Sequence, residues 1–363
     1  MSAHNQDTLA VSRMPHVLEL NGIRAAAISI VAVAHFGLGF IVPGGFGVTL
    51  FFFLSGFLIT SLLRIEFHNA GTISLRGFYW RRILRIIPPL WVSMAFSVFI
   101  SPFIDYDTRV NMMGAAADLS FLTSYSSLIP NYHGFPGMPL WSLAIEEHFY
   151  LVFPMIVMWF LPRSTSTRLA LWCAIACTGV LILRLVNVYF FGIVEANYYF
   201  THTRVDSILF GCILALWNNP LIEAHPWKPG VIHQAAALLL LTIAFATRSP
   251  VFQETFRYTL QGIGLFILFT WILQVRVPIV TAMLRSRIAQ WIGLLSYTLY
   301  LVHMLMFSLA KSLQPALHPI LQAMFAALLA IGYSTAMYQI IERPLGLMRH
   351  RMNAKNEEVA AAS

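Results

Sequence analysis

The chain of 363 residues is 58% hydrophobic and only 10% charged, with a mean hydropathy of +0.71. Ordinary soluble domains have about 25% charged residues, so this composition excludes a soluble globular protein and indicates a polytopic membrane protein. The formal net charge of +8 does not indicate a nucleic-acid partner, because basic loops of a membrane protein first set its orientation in the bilayer.

Apolar runs in the sequence predict an all-α bundle of about ten membrane-spanning helices in a lipid bilayer. The predicted spans are 21–42, 45–63, 86–104, 141–161, 169–191, 204–218, 231–247, 257–275, 290–310 and 319–341. If the N-terminus is cytoplasmic, 17 of the 23 Lys and Arg residues fall on the inner side or at inner helix ends. The distribution favours this orientation, in which both termini are cytoplasmic.

The predicted spans divide the chain into three parts. Residues 1–20 form a cytoplasmic N-terminal tail, residues 21–341 form the membrane domain, and residues 342–363 form a cytoplasmic C-terminal tail. The longest predicted outer loop, Asp105 to Pro139, is a candidate functional segment, because long loops in compact bundles are either functional or disordered.

The first two predicted helices form a hairpin that turns at the Pro-Gly-Gly sequence of residues 43–45. The 39 residues between Arg24 and Arg64 contain no Asp, Glu, Lys or Arg, and His35 is their one ionisable side chain. His35 follows Arg24 by eleven positions, which in an α-helix returns to within about 20° of the same face and rises roughly 16 Å. An ionisable group deep in a membrane indicates function. The alternative is a histidine that only hydrogen-bonds to a neighbouring helix.

The third predicted helix begins in a basic and aromatic cluster, RGFYWRRILRIIPPLW. Arg82 and Arg85 are three positions apart and share a helix face, and Arg81 and Arg85, four apart, are also neighbours. Guanidinium groups bind phosphate oxygens through paired hydrogen bonds, so the cluster predicts a site for the phosphates of a nucleotide-containing ligand. The alternative is attraction to anionic lipid headgroups.

The fourth predicted span opens with WSLAIEEHFYLVFP, in which Glu146 and Glu147 are adjacent. Neighbouring residues of a helix point about 100° apart, so at most one of these carboxylates can face a given site. The alternative, favourable negative charge at a helix N-terminus, stabilises a helix by only about 0.3–1 kcal/mol. The pair therefore indicates a functional carboxylate.

Three further ionisable residues lie within or at the ends of later spans: Asp206 in HTRVDSILFG, His303 in LSYTLYLVH and Glu342 in IERP. Asp206 is expected to pair with a cation on another helix, and a purely structural ion pair is as well supported as a functional one.

Several catalytic and metal-binding motifs are absent from the sequence. It contains no GxSxG, P-loop, HExxH or CxxC motif, which excludes the common serine hydrolases, P-loop NTPases and zinc proteases. The three cysteines match no zinc spacing and are expected to be buried apolar residues, so no metal site is predicted.

The order of the motifs resembles the acyltransferase-3 family of bacterial integral-membrane O-acyltransferases. The segments that carry the resemblance are LNGIRAAAISIVAVAH, GVTLFFFLSGFLI, RRILRIIP, SLAIEEHFYLVFP, TRVDSILFGCILA, LSYTLYLVH and IERP. The resemblance covers nearly the whole chain and implies a multi-pass protein of the bacterial inner membrane. Some members of the family carry an additional SGNH esterase-like domain, which is not expected within these 363 residues.

The resemblance implies transfer of an acyl group, as a family expectation acetyl, from acyl-CoA to a hydroxyl of a saccharide or glycolipid. The acceptor class would be an exopolysaccharide, an O-antigen or a similar glycan. Acyl-CoA is then a co-substrate, and no permanently bound cofactor is expected.

The resemblance also matches individual residues to the motif positions of the family. The matching positions are Arg24 and His35 of the first span, Phe51, Phe52, Ser55 and Gly56 of FFxxSG, Arg82 and Arg85 of RxxR, and the acids Glu146 and Glu147. His148 stands where the family commonly has Gln and receives no role.

In this interpretation His35 is the general base, and a carboxylate orients its imidazole as in catalytic triads. The candidates for that carboxylate, in order of preference, are Glu147, Glu146 and Glu342. Arg82 and Arg85 would hold the phosphates of CoA. Arg24 and Ser55 are candidates for oxyanion stabilisation, and the expected substrate-binding set is Arg82, Arg85, Ser55, Asp206 and Glu342.

The phosphates of acyl-CoA cannot follow the acyl group into the hydrocarbon region, so a protein-lined channel is expected to reach His35. Ser29 and Ala32, on or near the face of the first helix that carries His35, are predicted to line it. The acceptor hydroxyl would approach from the outer side.

Two other classes of function compete with the enzyme. A proton-coupled secondary transporter would use His35 in a proton relay, but paired interrupted helices in corresponding halves are not found in the sequence. A catalytically silent scaffold is disfavoured by the number of ionisable groups within the spans.

Overall fold

The computed structural model describes residues 9, 11, 13–104, 109–275 and 277–348. Half of the predicted N-terminal tail 1–20 and residues 349–363 of the predicted C-terminal tail therefore lie outside the described residues, as does one stretch of the predicted outer loop, residues 105–108.

The described residues form a helical bundle without β-strands. Its α-helices are α1 (Leu18–Val33), α2 (Gly44–Ala70), α3 (Leu75–Ile100), α4 (Met112–Leu119), α5 (Leu140–Phe160), α6 (Ser166–Phe191), α7 (Thr201–Arg204), α8 (Asp206–Trp217), α9 (Val231–Ala246), α10 (Pro250–Glu254), α11 (Phe256–Gln274), α12 (Pro278–Arg285), α13 (Arg287–Leu313) and α14 (Pro319–Met337). Short 3₁₀ or π-helical turns lie at Ala34–Leu38, Ser101–Phe103, Thr123–Leu128, Glu195–Tyr198 and Tyr338–Glu342.

The prediction of an all-α polytopic membrane bundle is confirmed. Within the described ranges, eight helical segments are long and apolar enough to cross a membrane: those containing α1, α2, α3, α5, α6, α11, α13 and α14. The helices α8 and α9 are apolar but shorter, and they occupy the sixth and seventh predicted spans. The cytoplasmic location of the two termini stays a prediction.

The first span differs from the predicted helix over 21–42. The regular helix α1 ends at Val33, and the chain continues through a π-helical turn at Ala34–Leu38. Gly37 in this turn has a φ of 106°, a left-handed conformation that glycine adopts without steric cost. His35 therefore lies in a distorted turn at the end of α1 and not in a regular helix deep in the bundle.

The helix α2 lies at the centre of the bundle and packs against α1, α8 and α11. It approaches α8 closely at two glycines. A side chain at Gly56 would overlap the backbone of Ile208, and a side chain at Gly211 would overlap the backbone of Phe53. The glycine of the FFxxSG motif is thus required by helix packing.

The sixth predicted span, 204–218, is divided between α7 and α8, which meet at Val205. Asp206 begins α8, and its carboxylate accepts a hydrogen bond from the backbone N–H of Ser207 at 2.8 Å. The side chain of Asp206 is fully buried.

The described part of the outer loop is organised around Asp118, which is 2% exposed. Its carboxylate accepts hydrogen bonds from the hydroxyls of Thr123 and Tyr132 and from the backbone N–H of Phe135, at 2.5–2.7 Å. Burial and the hydrogen bond to Asp118 raise the pKa of Tyr132 above its usual range, so this hydroxyl stays a donor. The loop therefore has a polar core of its own.

Candidate active site

A cavity lies among α1, α2, α3, α5 and α13. Its polar lining consists of Arg24, Ser55, Arg82, Arg85, Ser142, Glu146, Tyr150, Ser296, Tyr297 and Tyr300, and its apolar lining of Val48, Phe51, Phe52, Leu54, Ile86 and Leu143. Five of the nine residues predicted to take part in catalysis or substrate binding are brought together here, from four helices. They are Arg24, Ser55, Arg82, Arg85 and Glu146.

The cavity is positively charged, because three guanidinium groups and a single carboxylate line it. Arg82 is held over the ring of Tyr150, with 4.5 Å between the guanidinium carbon and the ring centroid. Such stacking on an aromatic face leaves the edge of the guanidinium for hydrogen bonding. Arg81, the other neighbour of Arg85, instead forms an ion pair with Glu66 at 3.3 Å and does not line the cavity.

A small hydrogen-bonded group joins α2 and α5 in the wall of the cavity. The hydroxyl of Tyr150 donates to Glu146 at 3.3 Å, and it also contacts the hydroxyl of Ser55. The serine of FFxxSG is therefore linked to the first acid of SLAIEEHFY through a tyrosine one helical turn later.

The two adjacent acids have different surroundings, as their angular separation on a helix predicts. Glu146 lines the cavity, whereas Glu147 is not part of its lining. One carboxylate oxygen of Glu147 is buried without a hydrogen-bond partner among the described residues. The preference for Glu147 over Glu146 as the carboxylate that orients His35 stays a prediction, and the geometry shows only that Glu146 is the acid of the pair that faces the cavity.

His35 does not line the cavity, and its orienting neighbour is not a carboxylate. Its Nδ1 lies 2.9 Å from the carbonyl oxygen of Val31 and 3.1 Å from Nε2 of His303. The centroids of the two imidazole rings are 5.0 Å apart. His35 is exposed at the surface of the bundle, whereas His303 is 1% exposed. The expected carboxylate partner is replaced by an imidazole from α13.

One stripe of α13 connects the cavity to the histidine pair. It consists of Tyr297, Tyr300 and His303. Positions three apart lie on one side of a helix, and here they pass from the cavity wall to His35. The ring of Tyr300 lies 5.6 Å from that of His303, and its hydroxyl hydrogen-bonds to Ser142. The cavity and the histidine pair are therefore separated by a single aromatic residue.

Sequence reasoning did not single out Tyr297 and Tyr300. The signal was present in LSYTLYLVH, where two tyrosines and a histidine recur every three residues. Tyrosine in an apolar span is also common in ordinary packing, so the spacing alone does not separate the two cases.

The structure places Asp206 and Glu342 outside the cavity lining. Asp206 forms an ion pair with Arg184 of α6 at 2.7 Å, and both side chains are completely buried. The expected pairing of Asp206 with a cation on another helix is confirmed. Glu342 accepts a hydrogen bond from Thr298, which follows the cavity residue Tyr297 on α13. The role of either residue in substrate binding stays a prediction.

The residues predicted to line the donor channel are not among those that line the cavity. Ser29 is exposed on the surface of α1, Ala32 is half-buried, and neither lines the cavity. The helical stripe of Arg24 and His35 is interrupted by the π-helical turn, and the cavity is built mainly from the sides of α2, α3, α5 and α13.

The described part of the chain contains no cluster of three or more His, Cys, Asp or Glu side chains that could hold a metal ion. The three cysteines, Cys173, Cys177 and Cys212, are buried and free.

Comparison with known proteins identifies similar sequences. The model of the acyltransferase-3 family, described as an acyltransferase domain, matches residues 17–339. The peptidoglycan O-acetyltransferase OatA of Listeria monocytogenes is 28% identical to the chain over 348 residues, which are 91% of the chain and 56% of that relative. The O-acetyltransferase OatA of Staphylococcus aureus strain NCTC 8325 is 32% identical over 206 residues, 54% of the chain and 34% of that relative.

The chain spans about half of the length of the Listeria relative and a smaller share of the Staphylococcus relative. No solved structure matches the chain.

Proposed function

Because the chain belongs to the acyltransferase-3 family, we propose that it is a membrane O-acyltransferase that moves an acetyl group from acetyl-CoA to a hydroxyl of a saccharide. The observation that carries this proposal is the position of the arginine-lined cavity, which is separated from the His35–His303 pair by one residue, Tyr300. An anionic donor held in the cavity would have its acyl group within reach of the basic imidazole of His35.

Arg24, Arg82 and Arg85 would bind the donor through the phosphates of CoA. Guanidinium groups match phosphate oxygens with paired hydrogen bonds, and these three cations face a cavity that contains one carboxylate. The apolar side chains Phe51 and Phe52 would accompany the pantetheine arm. In this proposal the pantetheine arm extends past Tyr300, so that the thioester meets the acceptor on the Nε2 side of His35.

His35 would act as the general base on the acceptor. Both of its described contacts use Nδ1, which leaves Nε2 on the other side of the ring for a substrate hydroxyl. The hydroxyl oxygen attacks the thioester carbonyl while its proton moves to Nε2 of His35. The carbon–sulfur bond then breaks, the ester forms, and the CoA thiolate takes the proton from His35 to leave as the thiol.

The acceptor in this proposal is a glycan of the cell envelope. The relatives named above are O-acetyltransferases, and one is named for peptidoglycan. The exposed position of His35 at the end of α1 supports a large acceptor that approaches from outside the bundle. We place the protein in the bacterial inner membrane, with the arginine end of the cavity toward cytoplasmic CoA.

The proposal is tested with the purified protein in liposomes, with acetyl-labelled acetyl-CoA and envelope glycans as acceptors. Label should appear on the glycan, and His35→Ala should lower its rate of transfer by about 10²–10⁴-fold, the usual contribution of a general base. His68→Ala, an exposed histidine at the end of α2, is the matched control and should keep the parent rate. Solute uptake driven by a pH gradient, without labelled glycan, would overturn the enzyme in favour of a transporter.

A further inference from the structure

The histidine pair contains a second imidazole to which the proposed reaction gives no role. His303 lies on α13 with 1% of its surface exposed, and its ring is between Tyr300 and His35. A fully buried polar side chain in a membrane bundle is costly unless it is hydrogen-bonded, and both nitrogens of His303 have neighbours at hydrogen-bonding distance.

The contacts of His303 determine which of its nitrogens carries the proton. Nδ1 lies 2.8 Å from the carbonyl oxygen of Tyr300, which can only accept a hydrogen bond. Nδ1 is therefore the donor, and because a neutral imidazole has one N–H, Nε2 is an acceptor. That acceptor is directed at His35.

The same reasoning then applies to His35. Its Nδ1 faces two acceptors, Nε2 of His303 at 3.1 Å and the carbonyl oxygen of Val31 at 2.9 Å. The proton of His35 is thus on Nδ1, shared between these acceptors, and Nε2 has the lone pair. An imidazole with an unprotonated Nε2 is the form that can accept a proton from a hydroxyl.

The two acceptors restrict the orientation of the His35 ring to different degrees. Val31 belongs to the same helix as His35, so its carbonyl alone would let the ring move with the π-helical turn. His303 belongs to α13, which packs along α1, and it ties the ring to a second helix. A neutral imidazole accepts this hydrogen bond without bringing a negative charge into the bundle, whereas a carboxylate would add the cost of a buried anion.

We infer that His303 is a positioning residue that helps the carbonyl of Val31 to hold His35 in the Nδ1-protonated tautomer and ties the ring to α13 for proton transfer. The inference rests on the proposed function for its kinetic consequence, but the tautomer itself can be observed without any substrate. When His35 takes a proton during the reaction, Nδ1 keeps donating to His303, so the orientation is retained through the step.

The test compares His303→Leu, which removes the acceptor at similar volume, with His303→Gln, whose amide oxygen can reach the position of Nε2. Loss of the hydrogen bond should lower kcat by about 10–100-fold in His303→Leu and leave the KM for acetyl-CoA within about twofold. His303→Gln should recover most of kcat. Met306→Leu, a buried substitution one turn later on α13, is the matched control and should keep the parent kcat.

The second measurement is ¹⁵N NMR of the histidine-labelled protein in lipid, with the His35 signals assigned by their loss in His35→Gln. The Nδ1-protonated tautomer should dominate in the parent and in His303→Gln. In His303→Leu, where Val31 alone accepts from Nδ1, the share of the other tautomer should rise. Identical His35 signals and unchanged kcat in His303→Leu would overturn the inference. If the parent protein transferred no acetyl group, the proposed function would be wrong. The NMR comparison would still show whether His303 sets the tautomer of His35.

Discussion

Arg184 and the three arginines of the cavity lie in two regions of the bundle that differ in what surrounds the guanidinium group. In the first region, Arg184 of α6 donates to the carboxylate of Asp206 and to the hydroxyl of Thr259, both at 2.7 Å. The side chains of Arg184 and Asp206 are completely buried, and the ion pair joins α6 to the start of α8. This region is closed, and the charges of Arg184 and Asp206 neutralise each other.

The second region is the cavity, where the cations are not neutralised in the same way. Among the described residues, no ion pair engages Arg24, Arg82 or Arg85. Arg82 lies over an aromatic ring, and Glu146 is hydrogen-bonded to a tyrosine. Arg184 is completely buried and paired with a carboxylate, whereas the three cavity arginines are partly exposed and have no such pair, so exposure and the lack of an ion pair together make them available to a ligand.

The largest expected effect concerns the closed region. Asp206→Leu leaves Arg184 buried without its carboxylate, which should destabilise the protein by about 3–5 kcal/mol. Adding Arg184→Met should recover much of this loss, because an apolar pair replaces the ion pair. Unfolding of the purified protein in detergent, followed by circular dichroism, measures both changes.

Glu66→Gln is the control for this measurement. The side chains of Glu66 and Arg81 are 27% and 36% exposed, so loss of their ion pair should cost less than about 1 kcal/mol. If Asp206→Leu were as stable as Glu66→Gln, the two regions would not differ in the way described above.

The contrast between these regions could be predicted only in part from the sequence. Apolar runs predicted the helical bundle, because hydrophobic length reports directly on spanning segments. They did not predict the π-helical turn at His35 or the break at Val205, since hydropathy averages over the residues where a helix changes its hydrogen bonding. Both departures fall next to ionisable residues, His35 at the candidate site and Asp206 in the closed region.

The second expected effect concerns the cavity. Arg82→Ala together with Arg85→Ala should raise the KM for acetyl-CoA by about 10–100-fold, since a hydrogen bond to a charged group contributes about 1.5–3 kcal/mol. Lysine at both positions should restore only part of the affinity, because it lacks the planar fork of donors. Initial rates of acetyl transfer at varied donor concentration give these constants.

Arg81→Ala is the matched control, because Arg81 lies on the same helix but pairs with Glu66 outside the cavity. It should leave the KM for acetyl-CoA within about twofold. An equal effect from Arg81→Ala, or full recovery with lysine, would favour simple attraction to anionic headgroups over a phosphate site.

The sequence predicted the identity of the site residues better than it predicted the contacts between them. Spacing identified the arginine pair on α3, and the angle between adjacent helix positions predicted that the two acids would separate. The partner of His35 could not be predicted, because His303 is 268 positions away and the contact depends on how α1 packs on α13. A carboxylate was the reasonable expectation from triad chemistry, and the packing supplied an imidazole.

The third expected effect distinguishes the two adjacent acids. Glu146→Gln keeps the shape of the cavity wall but removes the one negative charge that faces its three arginines, and it weakens the contact with Tyr150. Transfer should fall by about tenfold, which corresponds to about 1.4 kcal/mol. Glu147→Gln should change the rate by less than about threefold. A larger loss in Glu147→Gln than in Glu146→Gln would mean that the acid outside the cavity lining is the functional one.

The smallest expected effect concerns the route of the acyl donor. The helical stripe of Arg24 and His35 predicted a channel past Ser29, but Ser29 is exposed on α1 and lies away from the cavity lining. An exposed residue in the middle of a spanning helix faces lipid, where tryptophan is tolerated, so Ser29→Trp should keep the transfer rate within about twofold. Ala27, on the opposite side of α1, is 1% exposed, and Ala27→Trp should prevent folding by overpacking. Transfer assays, with size-exclusion chromatography to measure the folded fraction, compare the two variants. A folded Ser29→Trp protein without activity would mean that the donor reaches His35 along the surface of α1 and not through the arginine-lined cavity.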